Sequence, residues 1–102
     1  MIRASAVTLL GEIPEAHGVY ETPERPARLV ACTVQSVHAS EFYAALNQQL
    51  RPECVLVLGN YAEYQDEKEC IFEGKRYKII RPYVRSDNRI ELTVERVTNH
   101  DV

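Results

Sequence analysis

At 102 residues the chain is a single domain, 1–102, with no room for a second core, and it buries about two-thirds of the surface its unfolded form exposes. Hydrophobic residues make up 45% and charged residues 26%, the proportions of a globular protein rather than a disordered one. Twelve Lys and Arg against 15 Asp and Glu leave a formal charge of -3, which argues against a dedicated duplex-DNA binder.

The first strand is predicted over Ala4–Leu10, a short run rich in Val, Thr and Leu. That run is too short for a signal h-region, and nothing approaches the ~20 apolar residues of a membrane span, so neither is expected. From Gly11 to Ala27 the chain holds Pro14, Pro23 and Pro26, which fix φ and remove amide donors. A long flexible loop is predicted there, with Val19 and Tyr20 as a stretch suited to brief strand pairing.

Leu29–Val37 alternates, with Val30, Cys32 and Val34 on one face, as a half-buried strand requires. The period then changes. Phe42, Leu46 and Leu50 recur every four residues from Ala39 to Leu50, which predicts an amphipathic helix of about three turns anchored by Phe42 and Leu46. Glu41 lies in its first turn, where the helix dipole favours an anion, and Pro52 stops it.

Glu53–Leu58 is a near-continuous apolar run, short enough for a strand buried on both faces. Lys68–Phe72 and Lys75–Tyr83 follow, joined by Glu73-Gly74, an X-Gly pair that marks a tight hairpin. A second hairpin turns at Ser86-Asp87-Asn88 into Arg89–Val97, and the polar tail from 98 to 102 is expected to fray. One helix cannot cover both faces of an open sheet of this size. The predicted fold is therefore mainly β, a small antiparallel β-barrel or sandwich of about six strands with one α-helix.

No residue pattern calls for catalysis. Cys32, Cys54 and Cys70 are odd in number and sit in apolar runs, so they read as core thiols in a reducing compartment, without a disulfide framework. His17, His38 and His100 have no partners at metal-ligand spacing. Neither an enzyme, a metal nor a cofactor is expected. Glu63, Asp66, Glu67 and Glu69 lack the ligand order of a calcium loop and read as a solvated loop. Six tyrosines leave open a small OB-like barrel that binds single-stranded nucleic acid through Tyr77 and Tyr83.

One charge pattern exceeds background. Glu53–Glu73 carries six acids against Lys68 alone, and Lys75–Arg89 carries six bases against Asp87 alone. Cross-strand pairing within one hairpin accounts for part of it. The alternative reading, compatible with the first, is a head-to-tail subunit interface, with Glu63, Asp66 and Glu67 of one copy facing Arg81, Arg85 and Arg89 of the next.

The order of these elements resembles the head-completion proteins of tailed bacteriophages, also called head-closure, stopper or head–tail joining proteins. The resemblance covers about residues 28–97. It rests on the helix start Glu41-Phe42-Tyr43, the hairpin Phe72-Glu73-Gly74-Lys75 with Tyr77, and the closing strand IELTVERV. His38 stands where that family places a capping serine, a departure that leaves Ser36 or Ser40 to cap the helix.

The resemblance implies a β-barrel with one helix, in a homo-oligomeric ring of six or twelve copies. It implies a virion location at the head–tail interface, after synthesis in the host cytoplasm, and no membrane. The partners implied are a portal or adaptor protein, a tail-completion or tail-tube protein, and packaged DNA that abuts the channel without sequence-specific binding. A tail-completion or adaptor protein of the same junction is the nearest alternative. Glu12, Glu15, His17, Val19, Tyr20, Glu21 and Glu24 are then the candidate channel-closing residues.

Overall fold

The computed structural model describes residues 3–11 and 26–97. Among them lie β1 (Arg3–Leu10), β2 (Ala27–Gln35), α1 (Ala39–Leu46), β3 (Pro52–Leu58), a 3-10 turn (Tyr61–Glu63), β4 (Glu69–Phe72), β5 (Lys75–Val84) and β6 (Ile90–Arg96). Residues 12–25 of the predicted long loop, with every candidate channel-closing residue, and the tail fall outside the described residues, while Ala27 begins β2 rather than ending the loop.

The strands close into an antiparallel barrel in the cyclic order β1-β2-β3-β6-β5-β4. The choice between barrel and sandwich is settled by β4, which pairs with β5 on one side and with Thr8–Leu10 of β1 on the other. Period-two alternation puts one set of side chains inside. Val7 and Leu9, Val30 and Cys32, Leu56 and Leu58, and Leu92 and Val94 meet there with Phe72, Tyr77 and Ile79. β3 is buried on both faces, as its apolar run predicts: Val55 and Val57 point away from that cluster and are still 5% and 3% exposed.

The Glu73-Gly74 hairpin forms as predicted, with φ of 52° and 76° at the two central residues. Positive φ at both positions marks a type I′ turn, whose twist matches that of the flanking strands. β5 carries a bulge between Ile79 and Arg81 against β6. It shifts the phase of the strand, so that Arg81 lies opposite Thr93 and Tyr83 opposite Glu91.

The helix departs from expectation twice. It ends at Leu46 rather than Leu50, because Gln49 turns left-handed (φ 63°) and the Leu50 amide bonds back to the Ala45 carbonyl at 3.0 Å. That six-residue closure terminates a helix without glycine. Its anchoring also differs: no residue of α1 is buried, and Leu46 is 36% exposed. His38 occupies the N-cap without a side-chain hydrogen bond, so neither Ser36 nor Ser40 substitutes for the missing cap.

Candidate functional site

Gly11 and Pro26, which flank residues 12–25 in sequence, meet at one end of the barrel. Leu10 pairs with Ala27 at the end of the β1–β2 ladder, and the Gly11 amide donates to the Pro26 carbonyl at 2.8 Å. A Cβ on Gly11 would sit 3.2 Å from the Pro26 ring, so the closing pair is tight enough to favour glycine.

Beside this root the β3–β4 connection is held by an ion pair whose carboxylate is buried and whose guanidinium is part-exposed. Arg28 lies on β2 in phase with Val30 and Cys32, so its side chain turns toward the barrel end rather than to the outer wall. Its Nη2 donates to Glu67 Oε2 and to the Glu63 carbonyl, both at 2.7 Å. Glu67 also accepts from the Gln65 amide at 2.7 Å, and its own carbonyl accepts from the Tyr64 hydroxyl at 2.7 Å. Desolvation pushes the Glu67 carboxyl up, but the hydrogen bonds from Arg28 and the Gln65 amide outweigh it and hold its pKa below the ordinary value. Burial, then the charges of Asp66 and Glu67, raises the Tyr64 phenol to about 12, which keeps it a donor. A cavity of about 260 Å³ lies between Leu9, Gly11, Pro26, Arg28, Gln65 and Asp66.

The candidate interface charges are mostly engaged within the chain. Glu67 is 6% exposed and pairs with Arg28 of its own chain, which corrects its reading as a solvated loop residue. Its burial follows from the charge it neutralises on Arg28. Arg81 pairs with Glu41 of α1. Arg85 reaches Asp87 at 3.5 Å and Glu91 at 3.7 Å, and Arg89 reaches Asp87 at 3.8 Å. Arg76 pairs across the hairpin with Glu69 at 2.6 Å. Glu63 and Asp66 stand at the loop-root end of the barrel, on the same connection as Glu67, and form no ion pair with Arg81, Arg85 or Arg89 of their own chain.

Tyr77 does not present a stacking face. It is 4% exposed, and its hydroxyl donates to Glu53 Oε2 at 2.6 Å, so burial and the Glu53 carboxylate raise its pKa. Tyr83 is exposed, with the Arg81 guanidinium 5.7 Å from its ring centre. A pair of tyrosines aligned for base stacking is therefore absent from this strand.

The thiols sit as the sequence predicts for Cys32 and Cys70, both buried, while Cys54 is half-buried against the core. Burial pushes the Cys70 thiol up to about 12, with the neighbouring Cys54 and Cys32 adding to the shift. Among the described residues no cluster of His, Cys, Asp and Glu is placed to hold a metal, and no helix is long and apolar enough to cross a membrane.

Sequence reasoning missed Arg28 and, although it singled out Glu67, did not pair the two. The signal was present: an arginine at an inward position of an alternating strand requires an anion, although its partner lies 39 residues away. No protein-family model and no curated protein matches the chain.

Proposed function

We propose that this chain is a structural protein of the phage head–tail junction, a ring that docks on the portal or adaptor, obstructs the channel after packaging and offers the tail its attachment surface. The observation that carries the reading is the loop root. A closed barrel holds both ends of one long segment at a single point, braced by the Gly11–Pro26 closure and the Arg28–Glu67 pair. Such a root suits a segment that must project from a rigid body toward a shared axis. The resemblance of residues 28–97 to head-completion proteins supports the same role, as does a charge of -3 on a wall that DNA must pass without sticking.

The test is reconstitution. Purified chain added to DNA-filled, portal-bearing heads that lack it is expected to bind them, retain their DNA and restore tail joining. A chain lacking residues 15–24 is expected to fold and bind but to let DNA escape. Heads that never bind the intact chain overturn the reading. Heads that keep their DNA with the shortened chain move closure to another component.

A further inference from the structure

The backbone of β1 has an open edge. The Gly11 amide donates to the Pro26 carbonyl, one step beyond the Leu10–Ala27 pair, so the odd-numbered residues of β1 turn their N–H and C=O toward β2. The even-numbered ones turn theirs the other way. β4 meets these only at Thr8 and Leu10, because the Glu73-Gly74 turn carries the chain away to β5 after Phe72. Among the described residues no strand lies on that side of Ala4 and Ala6, and both are exposed.

β5 outruns β4 in the same way, and there the edge is guarded. β4 covers β5 from Lys75 to Lys78, and the Ile79 amide still reaches the Lys68 carbonyl at 2.8 Å. Farther along, the Arg85 amide donates to the Arg89 carbonyl, so Arg81, Tyr83 and Arg85 face β6 and Pro82 faces the open side. Proline has no N–H to offer an incoming strand, one of the ways natural sheets blunt an edge. β1 carries no proline at its open stretch. Two methyl side chains flank the N–H and C=O groups there, and neither hinders a neighbouring backbone.

We infer that the Ala4–Ala6 edge binds an extended segment of another protein, laid antiparallel to β1 on the line where β4 stops. Such a segment sets two of its residues against Ala4 and Ala6 and exchanges N–H···O bonds with both. The residue between them lies opposite Ser5, on the inner face that Ser5 shares with Val7, so an apolar side chain is favoured there. Residues 12–25 of this chain are too short to fill the slot. Fully extended, those 14 residues span roughly 50 Å between Gly11 and Pro26. The seven residues from Gly11 to Ala4, out and back at ~3.3 Å each, already take about 46 Å. The slot is short and walled by the β4–β5 hairpin, so it takes a free segment rather than a strand already built into a second barrel. The inference stands on the β1 ladder and not on the neck reading.

Amide hydrogen exchange of the full chain, with the acetylated peptide Lys-Thr-Val-Thr-Lys as probe, tests the slot. In the free chain the Ala4 and Ala6 amides are expected to exchange fast, and those of Ser5 and Val7, which face β2, slowly. Excess probe is expected to slow Ala4 and Ala6 at least about tenfold. N-methylation of both threonines of the probe is expected to abolish that protection. N-methylation of its valine, whose N–H points away from β1, is expected to leave it. Ala4→Pro removes a donor that the barrel does not use, so the variant is expected to fold and to lose the probe's protection of Ala6.

Ala4 and Ala6 amides that are already slow in the free chain overturn the inference. Slow at every concentration, they show the edge covered by the chain itself; slow only at high concentration, by a second copy. A probe that leaves both amides fast, equal protection by the two methylated probes, or protection that settles on another strand overturns it as well. If Ala4→Pro fails to fold, the two methylated probes on the parent decide. A chain that takes the probe yet ignores portal-bearing heads keeps the slot and overturns the neck reading. One that binds such heads but not the probe does the reverse.

Discussion

Arg28 and Glu67 meet at 2.7 Å across 39 residues of sequence, and their pairing ties the β3–β4 connection to the strand that follows the long loop. Glu67 is almost wholly buried while Arg28 keeps 36% of its side chain in solvent. The cation bridges the inside and outside of the barrel end, and the carboxylate depends on it.

Breaking this pair from the arginine side strands a buried carboxylate. Arg28→Met is expected to cost about 3 kcal/mol, the lower end of the range for a broken buried pair because Arg28 is part exposed. Adding Glu67→Leu is expected to recover most of that loss. Urea unfolding of the two single variants and the double variant measures both numbers.

Acid is expected to weaken the same lock. The folded pKa of Glu67 lies below its ordinary value of 4.5, so the ionised carboxylate stabilises the fold. That contribution is complete above pH 4.5 and is lost as the pH falls through the folded value. Stability measured by urea unfolding is expected to decline more steeply below this point in the parent than in Glu67→Gln. Parallel profiles would place the acid sensitivity elsewhere.

The helix and the barrel are expected to respond unequally to truncation. Leu56 is fully buried, so Leu56→Ala is expected to cost about 2–5 kcal/mol. Leu46 is 36% exposed on a helix that buries nothing, and Leu46→Ala is expected to stay within about 1 kcal/mol in the monomer. Thermal melts at low protein concentration separate the two.

Thiol labelling is expected to report the barrel from inside. Cys54, half-buried, reacts first with a thiolate-seeking reagent at neutral pH. Cys70 is fully buried with its thiol raised to about 12, and it is expected to react at the rate of global opening. Mass mapping after short exposure reads the order, and early labelling of Cys70 would show a barrel that opens locally at β4.

The strands were legible in the sequence because their information is local. Alternation in Leu29–Val34 and Ile90–Val94, the apolar run of β3 and the Glu73-Gly74 turn each specify conformation within a few residues. The sequence also placed Cys32 and Cys70 inside, from the apolar runs that hold them. What α1 packs against was not local information: its four-residue spacing of Phe42, Leu46 and Leu50 describes a helix but not the wall it meets. Left-handed Gln49 then cut the pattern short. The partners of Arg28, Tyr77 and Arg81 lie 39, 24 and 40 residues away, and only the tertiary fold brings them together. Closure itself rests on β4 reaching both β1 and β5, a choice among long-range pairings whose cost is loop entropy and whose gain appears only when the ring of strands is complete.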